Sequence, residues 1–142
     1  QALDSILSLN LNYSMTPYFK KELQLKAARH NQLLIPGISN IKDLKDAINL
    51  GYKVIKIFPA SRLGFNFLNK LRSFKENEIF FIGAGGIKSK DIKKWLTRGY
   101  NALAFGRELP PNGIDENLEI WLKSFQENEQ GKIFNIRPNI YN

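Results

Sequence analysis

The regular alternation of two periodicities constrains this chain most. Short runs rich in β-branched and aromatic residues alternate with helical stretches at an interval of roughly 20 to 25 residues. Strands are expected at 12–17, 33–36, 53–59, 79–83 and 101–106. Helices are expected at 18–30, 41–50, 64–74, 90–98 and 116–127, with one more over 2–9 leading into the first strand. A strand, a helix and a second strand of the same sheet join only by a crossover, so the strands are parallel and the connections right-handed. Asn40 and Ser89 stand where helix N-caps belong, and Gly51 and Gly99 where helices end. The pattern is that of an α/β fold.

Pro17, Pro36 and Pro59 each fall at the C-terminal end of an expected strand, where a missing N–H is tolerated. In parallel α/β folds that rim carries function. Five strands fill the 142 residues, whereas a closed eight-stranded barrel needs three more units, about 70 residues at this spacing. The chain also opens on Gln1 without an initiator Met. The expectation is either an open five-stranded sheet or the C-terminal portion of a longer chain. Residues 1–128 read as one domain and 129–142 as a polar tail.

Composition narrows the chemistry. At 43% hydrophobic residues a real core is expected, and no apolar run reaches the roughly 20 residues of a membrane span. No membrane partner is expected, and the location is read as cytoplasmic. With no Cys and one His, thiolate ligands, thiol nucleophiles and His-rich metal sites are excluded. The net charge of +8 is uneven: residues 1–107 carry +11 and residues 108–142 carry −3. A basic body fits a small anionic ligand. It also fits solvated helix faces, since Lys42, Lys45, Lys90, Lys93 and Lys94 fall on polar faces. Nucleic acid is not expected, because no basic strand is interleaved with aromatics.

Two segments can carry chemistry. In the strand containing Lys56, alternation puts Val54, Lys56 and Phe58 on one face and Ile55 and Ile57 on the other. A lysine facing an apolar interior tends to lose its proton, and the neutral amine is the nucleophile of Schiff-base chemistry. The alternative is a lysine whose stem snorkels to water. In the second segment, Gly83, Gly85 and Gly86 follow a buried strand, and Gly106 and Arg107 end the next. Paired glycine loops after successive strands suit an anion held by backbone N–H groups, as in barrel phosphate sites. A tight strand-to-helix turn is the simpler alternative. Elsewhere structural roles are expected: His30 as a cation at a helix C-terminus, and Trp95, Leu96, Trp121, Leu122 and Phe125 as packing against the sheet.

In order along the chain stand Leu34-Ile-Pro-Gly-Ile-Ser39, the helix ending before Gly51, Lys56-Ile-Phe-Pro-Ala60, Leu63-Gly64 and Gly85-Gly-Ile87. This succession resembles the class I 2-keto-3-deoxy-6-phosphogluconate (KDPG) and 4-hydroxy-2-oxoglutarate (KHG) aldolase family. The resemblance runs from Gln1 to about Leu109. It implies a (β/α)8 TIM-barrel with about five of the eight units in this chain, usually a homotrimer, working without metal or organic cofactor. Lys56 matches the Schiff-base lysine, Phe58 would line the pocket, and Gly85 and Gly86 would offer N–H groups to a phosphate. Pro36 matches a rim proline. The implied reaction splits a small anionic keto acid, KDPG or KHG, into pyruvate and glyceraldehyde 3-phosphate or glyoxylate. The alternative is a non-catalytic truncated barrel that binds phosphorylated ligands or a partner subunit.

The departures are specific. Gly83 and Ala84 stand where the family carries Pro-Thr, and Gly106 and Arg107 where many members carry Gly-Ser. The resemblance therefore makes Gly106 and Arg107 the second half of the phosphate loop, with Arg107 a charged donor in place of serine. The family's catalytic glutamate and carboxylate-binding arginine lie on early strands outside this sequence. Glu108 is the only carboxylate at an expected strand end.

Overall fold

The fold is that of a computed structural model, which describes residues 11–71, 78–110 and 113–128 together with Ser5, Ser8 and Leu9. The expected helix over 2–9 lies mostly outside the described residues, and the tail 129–142 lies wholly outside them. Parallel pairing runs through the whole ladder. The strands are β1 (Ser14–Met15), β2 (Leu34–Ile35), β3 (Gly37–Ile38), β4 (Val54–Ile57), β5 (Phe80–Ala84) and β6 (Ala102–Ala104). β1 pairs with β2, and β3, β4, β5 and β6 pair in that order.

β2 and β3 are one extended segment interrupted at Pro36. Proline has no N–H to give the ladder, but its carbonyl accepts from Lys56 N at 2.9 Å, and Ile38 O accepts from Phe58 N at 2.9 Å. The expectation that Pro36 closes a strand is therefore corrected: the chain stays extended for two residues beyond it. These five strand segments, each one step from its neighbour in the chain order, form the partial (β/α)8 barrel that the family resemblance implies.

The helices show how local signals are honoured or overridden. α1 (Lys21–Arg29) ends on His30, whose N–H donates to Ala27 O, and Asn31 then turns through a φ of 54°. α2 (Ile41–Asn49) begins with the Asn40 side chain accepting from Asp43 N at 2.9 Å, as the sequence suggests. Of the helix expected over 64–74, the described part holds the short α4 (Phe67–Lys70), and residues 72–74 lie outside the described residues; a separate short helix, α3 (Ala60–Leu63), precedes it and ends at Gly64 with a φ of 83°. Ser89 does not cap α5 (Ile92–Leu96). It opens a 3-10 turn, and its hydroxyl donates to Asp115 Oδ2 at 2.5 Å. Asp115 also accepts from Leu118 N, which ties the start of α6 (Glu116–Asn128) to the loop after β5. Those hydrogen bonds hold the Asp115 carboxyl below its ordinary range.

The core sits between the outer face of the sheet and the helices. Ile38, Ile55 and Ile57 are buried there against Leu44 and Ala47 of α2, Leu68 of α4 and Trp95 of α5. Trp95 packs on Phe65 at 4.3 Å and edge-on to Tyr100 at 5.1 Å. Tyr52 donates to the buried Gln24 across to α1 at 2.8 Å. The five helix-face lysines are all exposed, and one, Lys94, covers the Phe65 ring. Expected packing fails at Leu122, which is exposed, while Trp121 is half-buried and the Phe125 side chain lies outside the described residues. The polar Ser89–Asp115 contact, which periodicity cannot register, anchors α6 instead. No described helix is long and apolar enough to cross a membrane.

Candidate active site

Strand alternation settles where the chemistry-bearing face of β4 points. Ile55 and Ile57 go outward into the core, so Lys56 goes inward, 7% exposed. Its neighbours in register are Gly37 on one side and Ile82 on the other. Burial pushes the ammonium below its ordinary value of 10.5. Among the described residues no carboxylate pairs with it. The Phe58 ring lies 5.2 Å from its nitrogen. A lysine so placed is held closer to its neutral, nucleophilic form than one in water.

Lys56 opens into a cleft of about 700 Å³ at the C-terminal rim of β4, β5 and β6. Of the seven residues expected at a site, Lys56, Phe58, Gly85, Gly86, Gly106 and Arg107 line it. Pro36 does not. It is buried in the extended segment beside β4, where its carbonyl accepts from the Lys56 N–H.

The glycine loop after β5 is built to fit its neighbours. Gly85 and Gly86 have φ of 90° and 71°, where side chains are strained. A Cβ on Gly85 would stand 2.8 Å from the Phe58 ring, and one on Gly86 2.3 Å from the Ser61 hydroxyl. The Gly85 carbonyl accepts from Ser61 N at 3.1 Å, which pins this loop to α3. The phenyl ring of Phe58 is thus near both the Lys56 amine and the glycine loop. Of the departures from the family pattern, Gly83 is wedged against Tyr100, Ile87 and Leu103, and Ala84 lines the cleft.

Among the eight further lining residues, Met15, Ser61, Arg62 and Glu108 were not placed at a site by sequence reasoning. Ser61 and Arg62 lie just past a strand end, the place where functional residues gather, but α3 has four residues and no period from which a direction could be read. Met15, with Ala104, also lines another, mostly apolar cavity of about 500 Å³, whose walls include Ile35 and Ile82. Glu108 is brought to the cleft that holds Lys56, although nothing in the sequence places it there.

Parallel strands joined by helices, with a lysine and glycine loops at the C-terminal rim, define a protein of the (β/α)-barrel class. The chain belongs to the KDPG and KHG aldolase family, whose model matches residues 1–120. It is 21% identical over 109 residues to the 2-dehydro-3-deoxy-6-phosphogalactonate aldolase of Escherichia coli K12, covering 77% of this chain and 53% of that protein. A solved structure described as native KDPGal superposes with a TM-score of 0.72 at 21% identity, covering 89% of this chain and 64% of the other. The KDPG aldolase of Legionella pneumophila, solved with pyruvate captured as a covalent carbinolamine, superposes with a TM-score of 0.63 at 24% identity, covering 71% and 50%. The chain spans about half the length of the curated relatives it matches.

Proposed function

We propose that this chain carries the Schiff-base half of a class I aldolase site, with Lys56 as nucleophile and a small anionic 2-keto acid as substrate. The observation that carries the reading is Lys56 itself: 7% exposed, lowered in pKa by burial, unpaired among the described residues, and open to a cleft. Family membership supports it.

In this reading the neutral Lys56 amine adds to the C2 ketone, and the carbinolamine loses water to give an iminium. The C4 hydroxyl then gives up its proton to a base, the C3–C4 bond breaks, and its electron pair moves into the iminium to form an enamine. An aldehyde leaves. Protonation at C3 and hydrolysis by water return pyruvate and the free amine. Glu108 is the carboxylate lining the cleft, and Phe58 provides an apolar wall that keeps water from the amine. Gly85, Gly86, Gly106 and Arg107 supply donors for the anionic end of the aldehyde half, glyceraldehyde 3-phosphate or glyoxylate. Homotrimeric assembly and a cytoplasmic site of action belong to the same reading on the family resemblance alone.

Borohydride reduction of the chain with pyruvate, followed by peptide mass spectrometry, tests it. A single pyruvyl adduct on Lys56, absent from Lys56→Ala, is expected. An adduct spread over exposed lysines, or none at all, refutes the nucleophile, and phosphate binding without any adduct would favour a non-catalytic ligand-binding barrel.

A further inference from the structure

Arg62 lines the same cleft as Arg107, yet it comes from a different wall. It sits on α3, after β4, whereas Arg107 follows β6. In the sheet β5 lies between those strands, so the Gly85–Gly86 loop emerges between the two arginine-bearing loops. The backbone that carries Arg62 is held in place: its main-chain N–H donates to Pro59 O at 3.1 Å, and the adjacent Ser61 N–H donates to Gly85 O. The Ser61 hydroxyl reaches the space a Gly86 side chain would fill. Neither guanidinium has a carboxylate partner among the described residues, and Glu108 is the one acidic side chain lining the cleft. Guanidinium groups stay charged and match phosphate oxygens with paired N–H donors.

We propose that Arg62, acting with Arg107 across the glycine loop, is the residue that selects a phosphate-ended aldehyde half over a carboxylate-ended one. This rests on the Schiff-base reading for the reaction, though the anion site stands without it. A phosphate monoester carries close to two negative charges and three acceptor oxygens near neutral pH, against one charge and two oxygens for a carboxylate. Two guanidiniums, the Ser61 hydroxyl and the loop N–H groups outnumber what glyoxylate can use. A phosphate has an acceptor oxygen for each guanidinium and one for the hydroxyl.

The test uses the chain itself, unmodified and as Arg62→Met, Arg62→Lys and Arg107→Met. Inorganic phosphate is titrated by isothermal calorimetry, and pyruvate condensation is followed with glyceraldehyde 3-phosphate and with glyoxylate. Arg62→Met should weaken phosphate binding and raise KM for glyceraldehyde 3-phosphate by roughly tenfold or more, the worth of one charge-assisted hydrogen bond. Glyoxylate KM should move by less than about threefold, and Arg62→Lys should restore part of the loss as a point charge. Equal losses for both aldehydes, phosphate binding that ignores Arg62, or no phosphate binding by the unmodified chain would overturn the proposal. Arg62 is exposed, so the variants should fold, and unchanged melting checks this. Pyruvate has no phosphate, so its borohydride adduct on Lys56 separates the two ideas. Arg62-dependent phosphate binding without the adduct removes only the Schiff-base reading, while the adduct with Arg62-independent phosphate binding removes only this one.

Discussion

After β5, Gly85 and Gly86 are held in conformations where a Cβ would meet the Phe58 ring or the Ser61 hydroxyl; after β6, Gly106 has nothing within 4 Å of the place its Cβ would take. The two loops carry the same letter in the sequence for different physical reasons. β4 is buried at all four positions and its outer face belongs to the core, so the loops after β4 and β5 are fitted to one another. β6 is only half-buried along its length, and the loop after it, Gly106–Arg107–Glu108, is exposed. One wall of the cleft is built by packing, and the other offers polar groups with little packing behind them. A glycine-rich rim is therefore not one device repeated.

That contrast can be broken at several points. Ile55→Ala strikes the packed wall from behind, at a side chain with no exposure, and should cost about 2–5 kcal/mol in urea unfolding. A loss well under 1 kcal/mol would mean that the β4 wall is not held by this core. Gly86→Ala comes next. The left-handed conformation alone should cost about 1–3 kcal/mol, with Ser61 forced to turn away. A fully stable variant would show that the fit between α3 and the glycine loop is not demanded by the fold.

Lys56→Met sharpens the comparison through pH. Burial lowers the folded-state pKa from 10.5, so between the lowered value and 10.5 the unfolded chain binds more protons than the folded one. Stability should accordingly rise with pH through that window, and below it the fold bears the cost of a desolvated charge. The variant should lose this rise, seen as a smaller difference between urea midpoints at about pH 7 and about pH 10. An unchanged difference would place the Lys56 ammonium in water. Gly106→Ala should have the smallest effect, within about 0.5 kcal/mol, because the site is open and needs no positive φ. A loss as large as that of Gly86→Ala would erase the distinction between the two walls.

Much of this was legible in the sequence because it depends on neighbours along the chain. The two faces of β4 follow from alternation, and the α2 start follows from Asn40. The expected strand at 33–36 is too short because the reading treats Pro36 as a stop, whereas only its N–H is lost and its carbonyl still serves the ladder. Ser89 looks like a cap by position, but its hydroxyl is taken by Asp115, 26 residues away. Leu122 looks like core by spacing and is exposed. For Pro36 and Ser89 a partner remote in sequence decided.

The candidate site divides the same way. Lys56, Phe58 and the glycines of the β5 loop announce themselves by residue type at strand ends, since a lysine in an apolar strand and glycines before a helix are locally unusual. Arg62 and Glu108 are ordinary surface residues in sequence, and they become cleft residues only because β4, β5 and β6 lie side by side. By itself the sequence determined the alternation of strands and helices, the placement of Lys56 on the opposite strand face from Ile55 and Ile57, and the glycine turn, all consequences of backbone geometry over a few residues. Only the tertiary structure decided which loops share one cleft, how far Lys56 is desolvated, and that two arginines flank one glycine loop, because charge, burial and proximity between distant residues exist only once the sheet has formed.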